Sequence, residues 1–306
     1  MDVTDWLDHL RLGAEIAGLD LPALRLPDER DVLANGLRIH VLEWGPADGP
    51  PVVFLHGGSL TAHTWDLVCL ALSDRYRCVA VDLRGHGESE WPADADYRLE
   101  AFAADVGAVI DTLGLDRPVV VGMSLGGLTS MRLAGERSDR LRGLVVVDVG
   151  PDLRTDGAQE IVEFTKRDQE MDSVEDFVAR VLRDTSTRKP ELLRRSIRHN
   201  LRQLPNGRWT WKWDKRRMSE PDFEAMRADH ARLWDSVAAV TCPALVVRGE
   251  RSRVFLDEDG RKLTGALRDG RYEVIAGAGH TIQGEKPREL LAVLIPFFDR
   301  CFGASS

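Results

Sequence analysis

The sequence predicts an α/β fold, a mostly parallel sheet with helices on both faces and an inserted helical cap. Short apolar runs rich in Val and Leu alternate with helix-prone stretches along most of the chain, which is typical of parallel sheets. This alternation stops after Pro151 and resumes near residue 233, so the charged, helix-prone stretch between them is interpreted as an insertion. We expect an N-terminal helical extension (1–25), a core domain (26–150 and 233–306) and a cap (151–232).

The amino-acid composition limits which classes of function the protein could have. A chain of 306 residues that is 43% hydrophobic can bury a large core. Its formal charge of −9 argues against nucleic-acid binding, and it has no apolar run of the roughly twenty residues needed to span a membrane. The four cysteines lack C-x-x-C spacing, and no secretory signal precedes residue 25. These features predict free thiols, no metal site and a cytoplasmic location.

The first elements are a helix and a hairpin. Trp6, Leu7, Leu10 and Ala14 have helical spacing, so residues 1–25 should contain an amphipathic helix. Its apolar face would pack on the core or on a second copy of the chain in a homodimer. Asn35-Gly36 is a strong hairpin signal, which predicts that the first two strands are antiparallel.

The next two strands end in glycine-rich segments. His56-Gly57-Gly58-Ser59 follows the predicted strand 52–55, and the Gly58 amide is a candidate donor to an oxyanion. The alternative is a plain glycine turn with His56 as a packing residue. The segment from Asp82 to Ser89 follows the strand 78–81 and is interpreted as a tight architectural turn.

Gly122-Met123-Ser124-Leu125-Gly126 is the most informative segment. It lies between an apolar run and a helix-like stretch, the context of a nucleophile elbow that exposes a serine hydroxyl above a parallel sheet. Ser124 is therefore a candidate nucleophile, and the amide of Leu125 a second oxyanion donor. An ordinary serine in a glycine-rich turn is the alternative.

A serine nucleophile needs a base, and His280 is the best candidate among eight histidines. It lies in Gly277-Ala278-Gly279-His280, just after the predicted strand 272–275, so its ring could reach a serine at the same sheet edge. The other histidines lie on helix-like or strand-like segments or beside the glycine turns, where structural roles suit them better.

With these four segments in this order, the chain resembles the α/β-hydrolase superfamily from about Asn35 to the C-terminal helix. The resemblance implies an eight-stranded sheet and a Ser-Asp-His triad, with the acid usually in a G-x-x-D turn after the strand that follows the cap. This sequence has Gly249-Glu250-Arg251-Ser252 there, so a serine replaces the expected aspartate.

Another carboxylate should therefore orient His280. Asp148 ends the predicted strand 144–148 and would emerge at the carboxyl edge of the sheet, where ligands bind in such folds. Some esterase-like and lipase-like relatives of this superfamily carry their acid there. Glu250 is the second candidate, and a purely structural role for Asp148, capping the loop at Gly150, is the alternative.

These residues predict hydrolysis of a carboxylic ester or lactone through an acyl-enzyme, without cofactor or metal. The substrate would be a small molecule with an apolar or bulky group, contacted by Met123, Ser59 and Trp211. Trp211 belongs to an aromatic cluster, 209–213, that could instead hold the cap to the core. Within the resemblance, carbon–carbon bond hydrolases, cofactor-free perhydrolases and amidases share the serine, and a weakly catalytic small-molecule receptor is a further alternative.

Overall fold

The structure is a computed structural model that describes residues 3–152, 169–184, 189–219 and 223–303. Parts of the predicted cap, namely 153–168, 185–188 and 220–222, lie outside the described residues. The domain boundaries stay a prediction. No described helix is long and apolar enough to cross a bilayer.

The central feature is a sheet of eight strands, which confirms the predicted fold class. Its strands are β1 (Asp28–Ala34), β2 (Leu37–Trp44), β3 (Pro51–Leu55), β4 (Arg77–Val81), β5 (Val119–Met123), β6 (Gly143–Val147), β10 (Ala244–Gly249) and β11 (Gly270–Ile275). They lie in the order β1-β2-β4-β3-β5-β6-β10-β11. Strand β2 is antiparallel to β1 and β4, and all later neighbours are parallel.

The predicted hairpin is confirmed. Ala34 pairs with Leu37 across the turn, and Asn35 and Gly36 both have positive φ angles, 49° and 80°. Such angles at both central positions match the twist of the flanking strands, which explains why Asn-Gly is favoured there.

Helices cover both faces of the sheet. One face is covered by α3 (Leu99–Thr112), α4 (Leu125–Arg137), the end of α8 (Phe223–Ala239) and α9 (Asp257–Ala266). The other face is covered by α1 (Val3–Ala17), α2 (Asp66–Leu72), the short α10 (Ile282–Glu285) and α11 (Pro287–Phe302). Strand β3 shows why two cores form, since Val53 and Leu55 enter one and Val52 and Phe54 the other.

The N-terminal helix packs on its own chain. Leu10 and Ala14 of α1 are buried in the same apolar core as α2 and α11. The apolar face of the predicted helix therefore packs on the core of its own subunit. The homodimer stays a prediction.

The inserted region is not purely helical. Between β6 and β10 lie α5 (Val174–Asp184), α6 (Pro190–His199), α7 (Arg216–Ser219) and a three-stranded antiparallel sheet in the order β7-β9-β8, formed by Glu170–Met171, Trp209–Trp211 and Leu201–Gln203. This sheet was not expected from the sequence. Bulky aromatic residues at every second position, with β-branched Thr210 between two of them, favour a strand over a helix here.

Candidate active site

Ser124 lies on a sharp turn between β5 and α4. Its backbone angles are φ 52° and ψ −116°, a strained combination for a residue with a side chain. A Cβ on Gly122 would lie 2.1 Å from the carbonyl oxygen of Gly126, and one on Gly126 would lie 2.4 Å from that of Leu55. The turn can therefore form only with glycine at both positions, as the sequence predicted.

The turn is tied to its neighbours through the backbone. The Ser124 amide donates to the carbonyl of Val147 at 3.1 Å, and the Gly126 amide donates to that of His56 at 3.0 Å. The candidate nucleophile is thus fixed beside the end of β6 and the loop that follows β3.

The Ser124 hydroxyl is not used to build the fold. Ser124 is the N-cap of α4, a position where serine normally accepts a hydrogen bond from the helix, yet its side chain makes no capping bond. It also makes no hydrogen bond to His280 or to any other residue in the described part of the chain. Serine–base bonds in enzymes are often long before substrate binds, so the hydroxyl remains available for chemistry.

Two backbone amides beside Ser124 lack acceptors. Within the described ranges, neither the Gly58 amide nor the Leu125 amide donates to another residue. A Cβ on the adjacent Gly57 would lie 3.2 Å from Cβ of Ser124, so this loop passes directly over the candidate nucleophile. Backbone amides left unpaired at such a place are rare and suit an oxyanion. Their catalytic role stays a prediction.

His56 holds the glycine loop in position. Its Nδ1–H donates to the carbonyl of Gly57 at 2.8 Å, and its Nε2 accepts the amide hydrogen of Leu83 at 3.0 Å. Burial lowers the pKa of His56, which keeps the ring neutral and able to accept at Nε2. The residue that the sequence analysis considered as mere packing therefore joins the loop after β3 to the loop after β4.

The loop after β4 is architectural, as expected. The carboxylate of Asp82 accepts the amides of Ala62 at 2.6 Å and Glu88 at 2.9 Å. Arg84 forms a buried two-pronged ion pair with Asp105, at 2.7 and 2.8 Å. These bonds shape the wall of the site without placing either carboxylate at Ser124.

His280 is bound by Asp148 and not by Glu250. Nδ1 of His280 lies 2.7 Å from Oδ2 of Asp148, which is fully buried, whereas the His280 side chain is 30% exposed. A carboxylate at Nδ1 fixes the proton there, so Nε2 presents the lone pair that a base needs. The carboxylate of Glu250 instead accepts the Gly277 amide at 2.7 Å.

Ser252, which follows β10, is hydrogen-bonded to the carboxylate of Asp148, which follows β6. Its hydroxyl donates to Oδ2 of Asp148 at 2.5 Å, and the Gly249 amide donates to Oδ1 at 2.8 Å. The serine at the usual aspartate position thus bonds to the carboxylate that faces His280. This role of Ser252 was not predicted, although the departure from the G-x-x-D pattern was a signal for it.

Three residues were predicted to contact substrate. Met123 is buried, with its sulfur against Gly57, and Ser59 is partly exposed at a positive φ of 63°. Trp211 is 4% exposed and packs edge-on against Phe177 at 4.8 Å, inside the cap. This placement favours the alternative in which the tryptophan stabilises the cap, and substrate contact by all three stays a prediction.

One cation at the site was missed by the sequence analysis. Nη1 of Arg217, on α7, lies 3.4 Å from the position that a Cβ on Gly58 would occupy. Arg217 follows two other basic residues, Lys215 and Arg216, in a chain with 41 Lys and Arg. Nothing in the local sequence distinguishes Arg217 from these other basic residues.

One group of described side chains brings potential metal ligands together. Donor atoms of His63, Asp66 and His199 lie within 4.8 Å of one another. The two imidazole rings face each other, with centroids 3.8 Å apart and planes tilted by 30°. Arg195 also binds Asp66 at 2.9 Å and offsets its charge. Arg195 and Asp66 thus tie this cluster of polar side chains together, and the expected absence of a metal site stays a prediction.

The comparisons with known proteins agree with this architecture. A family model for the alpha/beta hydrolase fold matches residues 50–287. The esterase Rv0045c of Mycobacterium tuberculosis is 35% identical over 288 residues, which are 92% of this chain and 91% of that protein. Its solved structure superposes with a TM-score of 0.80 at 34% identity, covering 98% of this chain and 99% of the other.

Two further hydrolases are similar along most of their length. The 3-hydroxybutyrate-oligomer hydrolase of Cupriavidus necator is 30% identical over 270 residues, 84% of this chain and 91% of that protein. The structure of E-2-(acetamidomethylene)succinate hydrolase has a TM-score of 0.79 at 26% identity, covering 89% of this chain and 99% of that one. With the elbow, the eight-stranded sheet and these matches together, the chain belongs to the α/β-hydrolase family of hydrolytic enzymes.

Proposed function

We propose that the protein is a serine hydrolase that cleaves a carboxylic ester or lactone through an acyl-enzyme. The observation that carries the proposal is the buried Asp148 carboxylate 2.7 Å from Nδ1 of His280, at the sheet edge to which the Ser124 amide is tied. Similarity to a protein named an esterase favours ester cleavage over carbon–carbon cleavage.

The reaction follows from the available groups. Nε2 of His280 takes the proton of the Ser124 hydroxyl as its oxygen attacks the carbonyl carbon of the substrate. The unpaired amides of Gly58 and Leu125 hold the oxyanion of the tetrahedral intermediate, each contributing about a hundredfold to a thousandfold in rate. The imidazolium then protonates the leaving alcohol.

Hydrolysis of the acyl-enzyme, the second half of the reaction, repeats these steps with water. Nε2 of His280 removes a proton from a water molecule, whose oxygen attacks the acyl carbon, and Ser124 leaves with the proton returned by the imidazolium. Asp148 stabilises the imidazolium in both halves because its Oδ2 faces Nδ1. The chain's own residues supply every proton transfer.

The test is hydrolysis of a panel of neutral chromogenic esters of graded acyl length together with several lactones. We expect turnover by the intact protein and loss of at least about a thousandfold in Ser124→Ala. Ser130→Ala removes another buried serine of α4, one whose hydroxyl donates to the carbonyl of Gly127, and is the matched control. Equal turnover by Ser124→Ala and the intact protein would overturn the proposal.

A further inference from the structure

Arg217 presents a cation to the candidate oxyanion loop. Its Nη1 reaches within 3.4 Å of where a side chain on Gly58 would begin, and its guanidinium lies over the ring of Phe102 at 6.0 Å. Since a Cβ on Gly57 of the same loop would lie 3.2 Å from Cβ of Ser124, the cation lies beside the loop that approaches the candidate nucleophile.

No acid of the described chain neutralises this cation. The other cations of its segment are each paired, Lys212 with Glu88, Lys215 with Glu170 and Arg216 with Asp214. Arg217 forms no ion pair within the described ranges. Arg217 is half-buried, and cations that are partly removed from water are normally paired, so an unpaired one beside this loop is suited to bind a negative group of a ligand.

The titratable groups that interact most directly with Arg217 are neutral. Tyr97 is the titratable group that acts on it most directly, and burial raises the pKa of that phenol. The nearby imidazoles of His56 and His86 feel the charge of Arg217, and burial lowers the pKa of both. Burial also lowers the pKa of Arg217 to about 10, so the guanidinium is charged at neutral pH.

The backbone that carries Arg217 is held against the core. The Asp214 amide donates to the carbonyl of Gly85 at 2.8 Å, and its carboxylate accepts the Tyr97 hydroxyl at 2.5 Å. Arg216 binds the same carboxylate and also the carbonyl of Pro92 at 2.8 Å. The backbone that carries the guanidinium is therefore in place before any ligand arrives, so only the Arg217 side chain must be ordered on binding.

We propose that Arg217 binds a carboxylate of the substrate, so that the preferred substrates are esters carrying a free carboxylate near the scissile bond. This inference rests on the proposed function. A planar guanidinium suits a carboxylate because two parallel N–H groups can face its two oxygens. An alternative role, direct stabilisation of the oxyanion, predicts equal benefit for neutral and anionic esters.

The experiment compares matched neutral and anionic substrates. 4-Nitrophenyl butyrate is compared with the mono-4-nitrophenyl esters of succinic and glutaric acid. We expect the intact protein to favour an anionic ester in kcat/KM, and Arg217→Gln to lower that preference by about tenfold to a hundredfold, mainly through KM. Arg217→Lys should retain part of it, and Lys215→Gln, which removes a charge two residues away, should leave it unchanged.

A binding measurement separates this inference from the proposed function. In the Ser124→Ala background, calorimetric titration should show tighter binding of monomethyl succinate than of methyl butyrate, and Arg217→Gln should abolish the difference. This readout does not need turnover, so it stands even if the hydrolysis test fails. Equal binding of both ligands, or equal loss of activity on neutral and anionic esters in Arg217→Gln, would overturn the inference.

Discussion

Replacing Asp148 by Asn is the most revealing perturbation of the site. The carboxylate accepts three hydrogen bonds, from Nδ1 of His280 at 2.7 Å, from Ser252 at 2.5 Å and from the Gly249 amide at 2.8 Å. The Gly249 amide can only donate, so it selects the carbonyl oxygen of an Asn and turns the new NH2 toward His280 and Ser252. That NH2 would then donate to Nδ1 and move the proton of the ring to Nε2.

A ring protonated at Nε2 cannot take the proton of Ser124. The loss of the correct tautomer in a serine triad lowers kcat on the order of 10⁴-fold, about 5 kcal/mol in activation free energy. We expect Asp148→Asn to show a loss of this size, measured as kcat on a chromogenic ester. Thermal unfolding should verify that the variant is folded, because three buried hydrogen bonds are altered.

Two further variants test whether Asp148, rather than Glu250, orients His280. Glu250→Gln should change kcat by less than about threefold, since its carboxylate binds the Gly277 amide and not His280. Ser252→Asp in the Asp148→Asn background should restore part of the activity, because the Ser252 hydroxyl lies beside the carboxylate that faces His280. A large loss in Glu250→Gln with little effect of Asp148→Asn would refute the assignment of the acid.

The remaining predictions concern the hydrogen bond from Ser252 to Asp148, the turn that carries Ser124, the buried imidazole of His86 and the guanidinium of Arg217. Ser252→Ala should lower kcat by roughly tenfold, measured on the same ester, because Asp148 loses one of the bonds that orients it. Gly122→Ala should lower the free energy of unfolding by about 3 kcal/mol or more in urea titration, whereas Gly265→Ala, with open space around it on α9, should not destabilise the protein. Burial holds the pKa of His86 well below its ordinary value, so only the unfolded chain gains that proton as the pH falls below about 6.5. This group alone should lower the stability by about 1.4 kcal/mol per pH unit, in addition to the other buried imidazoles, and His86→Gln should reduce the total slope by about that amount in denaturation series. Because the pKa of Arg217 lies at about 10, the preference for anionic esters should be constant near neutral pH and decline as pH rises through about 10, measured as a ratio of kcat/KM values.

The parts of the site that were predicted from sequence depend on local backbone requirements. The elbow around Ser124 and the turn before His280 require small residues at fixed spacing, and such requirements leave a readable pattern. The position of Asp148 beside His280 could be predicted because a polar residue at the end of an apolar strand must emerge at the sheet edge, and its catalytic role stays a prediction. Each of these inferences needed only the strand and turn that carry the residue.

The parts that were missed depend on contacts between distant segments. Ser252 and Asp148 are separated by 104 residues and meet only because β6 and β10 are neighbours in the sheet. Arg217 is distinguished from the paired Arg216 only by which acids the folded chain places near each. The cap sheet likewise forms by pairing Trp209–Trp211 with two short segments whose own sequences carry little strand signal.

The central claim is that Ser124 becomes acylated during turnover, and the most direct test is mass spectrometry of the acid-quenched protein. The protein would be mixed with a chromogenic ester, quenched during the first turnovers and digested, with Ser124→Ala as the control. We predict an acyl mass increment on the peptide containing Ser124 and none in the control. Ester hydrolysis that proceeds with no adduct at Ser124, or with the adduct on another residue, would contradict the mechanism.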